Sequence, residues 1–237
     1  MKLLAFETST EALSVALSID GDVRERFELA PRRHAELSLP WAEELLAEAG
    51  VKRSQLDAIA VGRGPGAFTG VRLGIALAQG IALALDRPVV PVSTLAALAM
   101  RADTASEGAS HVFAAIDARM GEVYSAAFEV QGGDARALSE ERVSAPAEVV
   151  VPGEEGGWLG VGTGFGAAEN ALSQRLAARF ASIDASQLPH AADVAHLAAK
   201  AFARGEAIAA EQIEPAYLRN NVALTLREQQ ALRDSKR

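Results

Sequence analysis

Residues 62–85, GRGPGAFTGVRLGIALAQGIALAL, restrict the possible folds more than any other stretch of the chain. Before them Ile59, Ala60 and Val61 form an apolar run suited to a buried strand. After Gly62, Gly64 and Gly66 comes an apolar segment with helical spacing. Strand, glycine loop and helix in that order predict a sheet covered by helices. Glycine carries no Cβ, so at these positions another backbone, a helix or a ligand can come close. Thr69 stands where the helix cap is expected, and a helix start leaves N–H groups that attract anions.

Phosphate binding competes here with a plainer reading. No Lys-Ser or Lys-Thr pair follows the last glycine, and the spacing is not the dinucleotide G-x-G-x-x-G. A glycine loop of this kind serves equally as a tight strand-to-helix connection. The helix carries a second signal in Gly70, Gly74 and Ala78, small residues four apart that predict close packing of another helix. Val71, Ile75, Ile81 and Leu85 keep a core-facing period on what is read as the opposite side.

Composition narrows the function classes. The 237 residues are 49% hydrophobic and can bury one large core or two modest ones. The net charge is −8 and neither half is basic, which disfavours unaided binding of a polynucleotide. The absence of cysteine removes disulfides, thiolate zinc sites and cysteine nucleophiles together. Residues 69–85 fall short of the roughly 20 apolar residues of a membrane span, and the N-terminus reads as a strand and not as a signal peptide. The expectation is a cytoplasmic protein without a membrane segment.

The opening reads as a meander of strands over Lys2–Phe6, Ala12–Ile19 and Val23–Leu29, the second alternating as a half-exposed strand does. Glu7, Thr8, Ser9, Thr10 and Glu11 form a polar turn with a carboxylate at the strand end. It could orient a metal or phosphate, or be a solvated turn. An amphipathic helix over residues 34–49 has Leu37, Trp41, Leu45 and Leu46 on one side and glutamates on the other, with Pro40 interrupting it. His34, behind Arg32 and Arg33, is read as a capping or interface residue. From His111 the pattern recurs: a strand over Val112–Ile116, an acidic turn at Asp117, a strand over Glu122–Val130, a Gly132-Gly133 turn and a strand over Leu138–Val143. This suggests a duplication. Trp158–Val161 leads into a second glycine loop, Gly162-Thr-Gly164-Phe-Gly166, and helices are expected over Ala167–Phe180 and residues 191–204. Residues from Arg227 onward read as a polar tail.

No catalytic constellation is evident. His34, His111, His190 and His196 are scattered, with no pair at helical ligand spacing and no G-x-S-x-G elbow. Glu7 and Asp117 could face each other across a cleft, one at the end of each leading strand. The residues give two phosphate-friendly loops (Glu7, Thr8, Thr10, Gly64, Gly66 and Thr69; Gly162 and Gly164) without an evident base or metal cage.

MKLLAFETSTEALSVAL, GRGPGAFTGVRLGIALAQG, PVSTL, AAIDARMGEVY and EPAYLRNN together resemble the TsaB (YeaZ) family of bacterial proteins, from Met1 to about Val222. The resemblance implies an α/β fold of the acetate kinase, sugar kinase, Hsp70 and actin type. Two ribonuclease-H-like halves with mixed sheets flanked by helices would span residues 1–105 and 106–222, with a tail over 223–237. It implies work on tRNA threonylcarbamoyladenosine beside the TsaD paralogue, which binds metal and transfers the group, and the TsaE ATPase. This chain would be a non-catalytic subunit requiring no cofactor of its own, with ATP or ADP bound by the complex and tRNA reached through it. It would pair with the TsaD paralogue as a heterodimer, or with a second copy when alone, through helices of the first half. On that reading His34, Leu37, Trp41, Leu45, Gly70, Gly74, Leu77 and Ala78 form the interface. The chain departs from the paralogue in having Ser93-Thr-Leu-Ala-Ala-Leu in place of a histidine pair, and from relatives in having Glu7 in place of Asp; no metal site is expected. The alternatives are a stand-alone small-molecule kinase and a degenerate metallopeptidase of the same fold.

Overall fold

The computed structural model describes residues 1–104 and 110–219. The expected boundary at residue 105 and the polar tail lie outside them. The first half contains β1 (Lys2–Glu7), β2 (Ala12–Ile19), β3 (Asp22–Leu29), α1 (His34–Glu48), β4 (Ala58–Gly62), α2 (Phe68–Leu85), β5 (Val89–Val92) and α3 (Thr94–Ala99). The second contains β6 (Ser110–Arg119), β7 (Glu122–Gln131), β8 (Asp134–Ala137), β9 (Arg142–Ser144), β10 (Trp158–Val161), α4 (Ala167–Leu176), β11 (Phe180–Asp184) and α5 (Ala191–Ala203).

The strands form two sheets of matching order, β3-β2-β1-β4-β5 and β8-β7-β6-β10-β11, with β9 beside β7. In each sheet the leading strand pairs antiparallel with its hairpin partner and parallel with the strand that precedes a glycine loop. The duplication read from the sequence is therefore present as a repeated topology. The expected strand over Leu138–Val143 is replaced by β8 and β9, and β11 occupies the end of the expected helix over Ala167–Phe180. That helix is also broken by left-handed conformations at Ala168, Glu169 and Asn170.

Three apolar clusters fill the molecule. α1 and α2 cover one face of the first sheet, meeting Leu4, Phe6, Leu13, Val15 and Leu17. Between the sheets lie α3 and α5, with Leu3, Ala5 and Ala16 on one side and Val112, Ala114 and Phe128 on the other. Phe113, Trp158, Phe165 and Leu172 close the outer face of the second sheet. β2 is buried on both faces and not half exposed, because its small residues Ser14, Ala16 and Ser18 make room for α5. α5, numbered with the second half, packs on the first sheet, and α3 packs on β6 and β7. The halves therefore share one central core.

α2, at 18 residues, is long and apolar enough by length and composition to cross a membrane, which the shorter apolar run read from the sequence did not suggest. It is anchored on one side: Val71, Gly74, Ile75, Ala78 and Ala82 are buried. Gln79 Nε2 donates to Ala210 O at 3.0 Å, holding the C-terminal segment against the same helix. The opposite side, with Ala76, Leu83 and Ala84, faces outward.

Candidate functional site

The turn after β1 builds the floor of a cleft between the halves. Glu7, at the strand end, is 1% exposed. Its Oε1 accepts from Ser9 N at 2.7 Å and Ser9 Oγ at 2.5 Å, and its Oε2 accepts from Thr94 Oγ1 at 3.1 Å. Burial raises its pKa, against the lowering effect of those hydrogen bonds. Gly62 is needed beside it, because any Cβ there would run into the carboxylate. Glu7 therefore faces its own chain and does not line the cleft. It does not face Asp117 across it, as the spacing had suggested.

The remaining residues of the first glycine loop serve the same turn. A Cβ on Gly66 would strike the Ser9 carbonyl, and Ala67 N donates to that oxygen at 2.7 Å. Gly64 takes a left-handed φ of 92° beside Val71. Thr8 is fully buried and its Oγ1 donates to Gly70 O at 2.8 Å. Thr69 is an exposed residue of the first turn and not the cap; Ala67 holds the cap position, without a side-chain bond. The second loop is a packing joint as well: Gly162 and Gly164 lie against Ala115, where a Cβ on Gly164 would come within 2.8 Å. Close packing against Glu7, Ser9 and Ala115, with a left-handed φ at Gly64, gives the glycines of both loops a structural use.

A cleft of about 530 Å³ remains between them, lined by Thr10, Arg32, His34, Gly66, Thr69, Gly70, Asp117, Arg119, Tyr124 and Thr163 among others. His34 opens α1 and does not cap it; its Nε2 lies 3.1 Å from both Thr10 O and Ala12 O, tying the helix to the turn. Asp117 is engaged by the Arg119 side chain at 2.9 Å, and its backbone N donates to Thr163 Oγ1 at 3.1 Å. No group of metal-ligating side chains occurs among the described residues. With Glu7 enclosed, the residues present do not fit a metal or metal–nucleotide centre at the strand end.

The expected interface residues divide. Leu45 and Ala78 are fully buried, and Gly74 is enclosed, with any Cβ there 2.5 Å from Thr8 Oγ1. The small-residue strip thus receives the chain's own turn, and Leu45, Gly74 and Ala78 are not contact residues. At 100° per residue the strip of Gly70, Gly74 and Ala78 adjoins the row of Val71, Ile75 and Ala82, so the two share one inner face. Leu37, Trp41 and Leu77 are half-buried at its edge. The outward apolar residues are Leu39 of α1 and Phe68 and Leu83 of α2, the last two 55% and 64% exposed. Sequence periodicity put Val71 and Ile75 on the core-facing side, where they are found, but set the small-residue strip on the opposite side, whereas it lies on the same one.

Two constellations escaped the sequence reading. Glu25 gathers Ser14 Oγ at 2.6 Å, His190 Nδ1 at 2.9 Å and Ala192 N at 3.0 Å, seating the start of α5 on β3. Burial pushes the Glu25 pKa up, but the bonds from His190, Ser14 and Ala192 prevail and hold it below the ordinary value. At the start of α2, Arg72 lies 3.7 Å over the Phe68 ring, and its Nε donates to Tyr217 Oη at 2.7 Å. The partners stand 165 and 145 residues apart, beyond any local pattern.

A family model described as TsaD: tRNA N6-adenosine threonylcarbamoyltransferase matches residues 28–226. A curated relative from Escherichia coli (strain K12), "tRNA threonylcarbamoyladenosine biosynthesis protein TsaB", is 43% identical over 94% of this chain and 96% of its own length. A protein of the same name from Haemophilus influenzae is 40% identical over 94% and 95%. The solved structure described as YeaZ from Pseudomonas aeruginosa superposes with a TM-score of 0.84 at 50% identity, covering 92% of this chain and 99% of that one. The paired mixed sheets flanked by helices are accordingly the acetate kinase, sugar kinase, Hsp70 and actin type of α/β fold. With matches over nearly the whole length and the same fold, the chain belongs to the TsaB (YeaZ) family.

Proposed function

We propose that this chain takes part in tRNA threonylcarbamoyladenosine biosynthesis as a non-catalytic partner of a TsaD-type paralogue. With the TsaE ATPase, the pair moves the threonylcarbamoyl group from threonylcarbamoyl-AMP to N6 of the adenosine beside the anticodon. ATP or ADP and the tRNA are held by the complex, which works in the cytoplasm, and this chain needs no cofactor of its own. The names carried by its relatives support the pathway.

The observation that carries the non-catalytic role is the enclosure of Glu7: the carboxylate at the strand end is committed to Ser9 and Thr94. The partner role draws on α2, whose outer side leaves Phe68, Leu83, Ala76 and Ala84 exposed; Leu39 of α1 is exposed as well. An exposed apolar helix face of this kind is suited to a protein partner. The paralogue would cover it in the complex, and a second copy of this chain would cover it otherwise.

Reconstitution tests the proposal: TsaD-type paralogue, TsaE, threonylcarbamoyl-AMP and tRNA, with and without this chain, read by mass spectrometry of tRNA nucleosides. Modification that depends on the chain, with none from the chain alone, is the expected result. Full modification without it would overturn the role, and turnover by the chain alone would overturn its non-catalytic character.

A further inference from the structure

Glu141 lies between β8 and β9, in the second half of the chain, yet both its side-chain oxygens are committed to the first. Arg63 Nη1 donates to Oε2 at 3.2 Å and Nη2 donates to Oε1 at 3.3 Å. Ser93 Oγ also donates to Oε1. A two-pronged guanidinium–carboxylate pair fixes orientation as well as distance. The side chains are 32% and 15% exposed, so the pair is less screened than one on the open surface.

Both partners of Glu141 stand at strand-to-helix crossings. Arg63 follows β4, five positions before Phe68 opens α2, and Ser93 follows β5 and caps α3 by accepting from Ala96 N at 3.1 Å. The backbone of Arg63 is itself a junction: its N donates to Val92 O at 2.8 Å, and its O accepts from Ala216 N at 2.9 Å. Gly64 O accepts from Thr94 N at 2.9 Å. One carboxylate of the second half thus grips the loop from which α2 departs, while Ser9 O holds the far end of that loop through Ala67 N.

We propose that Glu141 is a positioning residue for partner binding, fixing the start of α2 through Arg63 so that the placement of the second half is felt at the partner-facing helix. The effect on partner affinity rests on the partner role proposed above; the restraint on the loop does not.

The test uses the full chain as wild type, Glu141→Gln, Arg63→Lys, the single variants Arg63→Ala and Glu141→Ala, and the double variant Arg63→Ala/Glu141→Ala. Binding to the purified TsaD-type paralogue is read by calorimetry, and hydrogen exchange is read on the unbound chain. Gln keeps the shape without the charge, and Lys keeps the charge without the fork. Each single variant is expected to weaken binding roughly three- to thirtyfold. Exchange should quicken at residues 64–71 while β6 and β7 stay protected. The double variant should weaken binding by less than the product of the two single alanine effects, as for residues acting as one unit. Unchanged affinity with unchanged exchange at 64–71 overturns the proposal, and so does loosening spread evenly over the chain. If the wild type does not bind the paralogue, the partner reading fails; loosening confined to 64–71 then still supports the restraint, and its absence overturns that too.

Discussion

The two glycine loops occupy the same place in two sheets of the same order, but the helices behind them differ. After Gly62–Gly66 comes α2, 18 residues, apolar on both sides and seated on one. After Gly162–Gly166 comes α4, 10 residues, polar in its outer turns and interrupted by three left-handed residues. Loop chemistry is shared: in both, glycines let the loop press against the backbone of the leading strand or its turn, at Ser9 and at Ala115. The outer surfaces are not shared: α2 has an exposed apolar side with Leu83, Ala76 and Ala84, whereas α4 exposes Ala168, Glu169 and Asn170. A duplicated scaffold thus keeps its joints in both copies and exposes an apolar helix face in one.

The joints should break alike. Gly66→Ala and Gly162→Ala each place a Cβ against a backbone carbonyl, of Ser9 and of Ala115, neither of which can swing away as a side chain would. Each is expected to cost about 3 kcal/mol or more in denaturant unfolding. A loss below about 1 kcal/mol in one and not the other would break the equivalence of the loops.

The surfaces should not behave alike. Leu83→Glu on the outer side of α2 changes little inside the fold, so stability should move by no more than about 0.5 kcal/mol. Self-association and paralogue binding, read by sedimentation velocity and calorimetry, should weaken by about tenfold or more, as when a central apolar contact receives a charge. Unaltered association would leave the α2 face without a partner role.

A smaller effect concerns the exchange of helices between halves. Glu25 seats α5 on the first sheet, and its pKa is lowered in the fold from an ordinary value of 4.5. The unfolded chain therefore takes up the proton at higher pH than the folded one. The stabilisation is complete above 4.5 and disappears as the pH falls through the lower folded value. Glu25→Gln should cost about 1 to 2 kcal/mol at neutral pH and flatten the acid limb of the stability curve. Parallel acid limbs in the two proteins would remove Glu25 from this role.

The smallest change sharpens the contrast between helices. Ala168 holds φ 48° in the broken start of α4 and is exposed, so Ala168→Gly should stabilise by about 0.5 to 1 kcal/mol in thermal or denaturant unfolding. Destabilisation would mean that the left-handed run is not strained.

Much of the fold could be read directly from the residues. Period-two alternation marked β2 and β3, the Gly132-Gly133 turn marked the hairpin after β7, and the glycine loop with its apolar run marked β4 and α2. The site was less legible. Large-and-small alternation in β2 mimics a solvent face, whereas the small side is filled by α5, which lies some 175 residues further along the chain and bonds Ser14 through Ala191 N. Gly74 and Ala78 signal close approach without saying what approaches, and the answer is Thr8 for Gly74. The Arg63–Glu141 pair joins residues 78 apart with ordinary surface composition, so nothing local announces it.

The sequence by itself determined the periodicities, the turns, the absence of thiol chemistry and the excess of apolar residues on α2, because each depends on neighbours within a turn or a strand. Only the tertiary structure decided that the small-residue strip of α2 joins its covered side, that Glu7 is enclosed by Ser9 and Thr94, and that α3 and α5 cross between the sheets. Those outcomes are set by which surfaces meet across long chain separations, where space and hydrogen-bond partners are shared among distant residues and no short stretch encodes the choice.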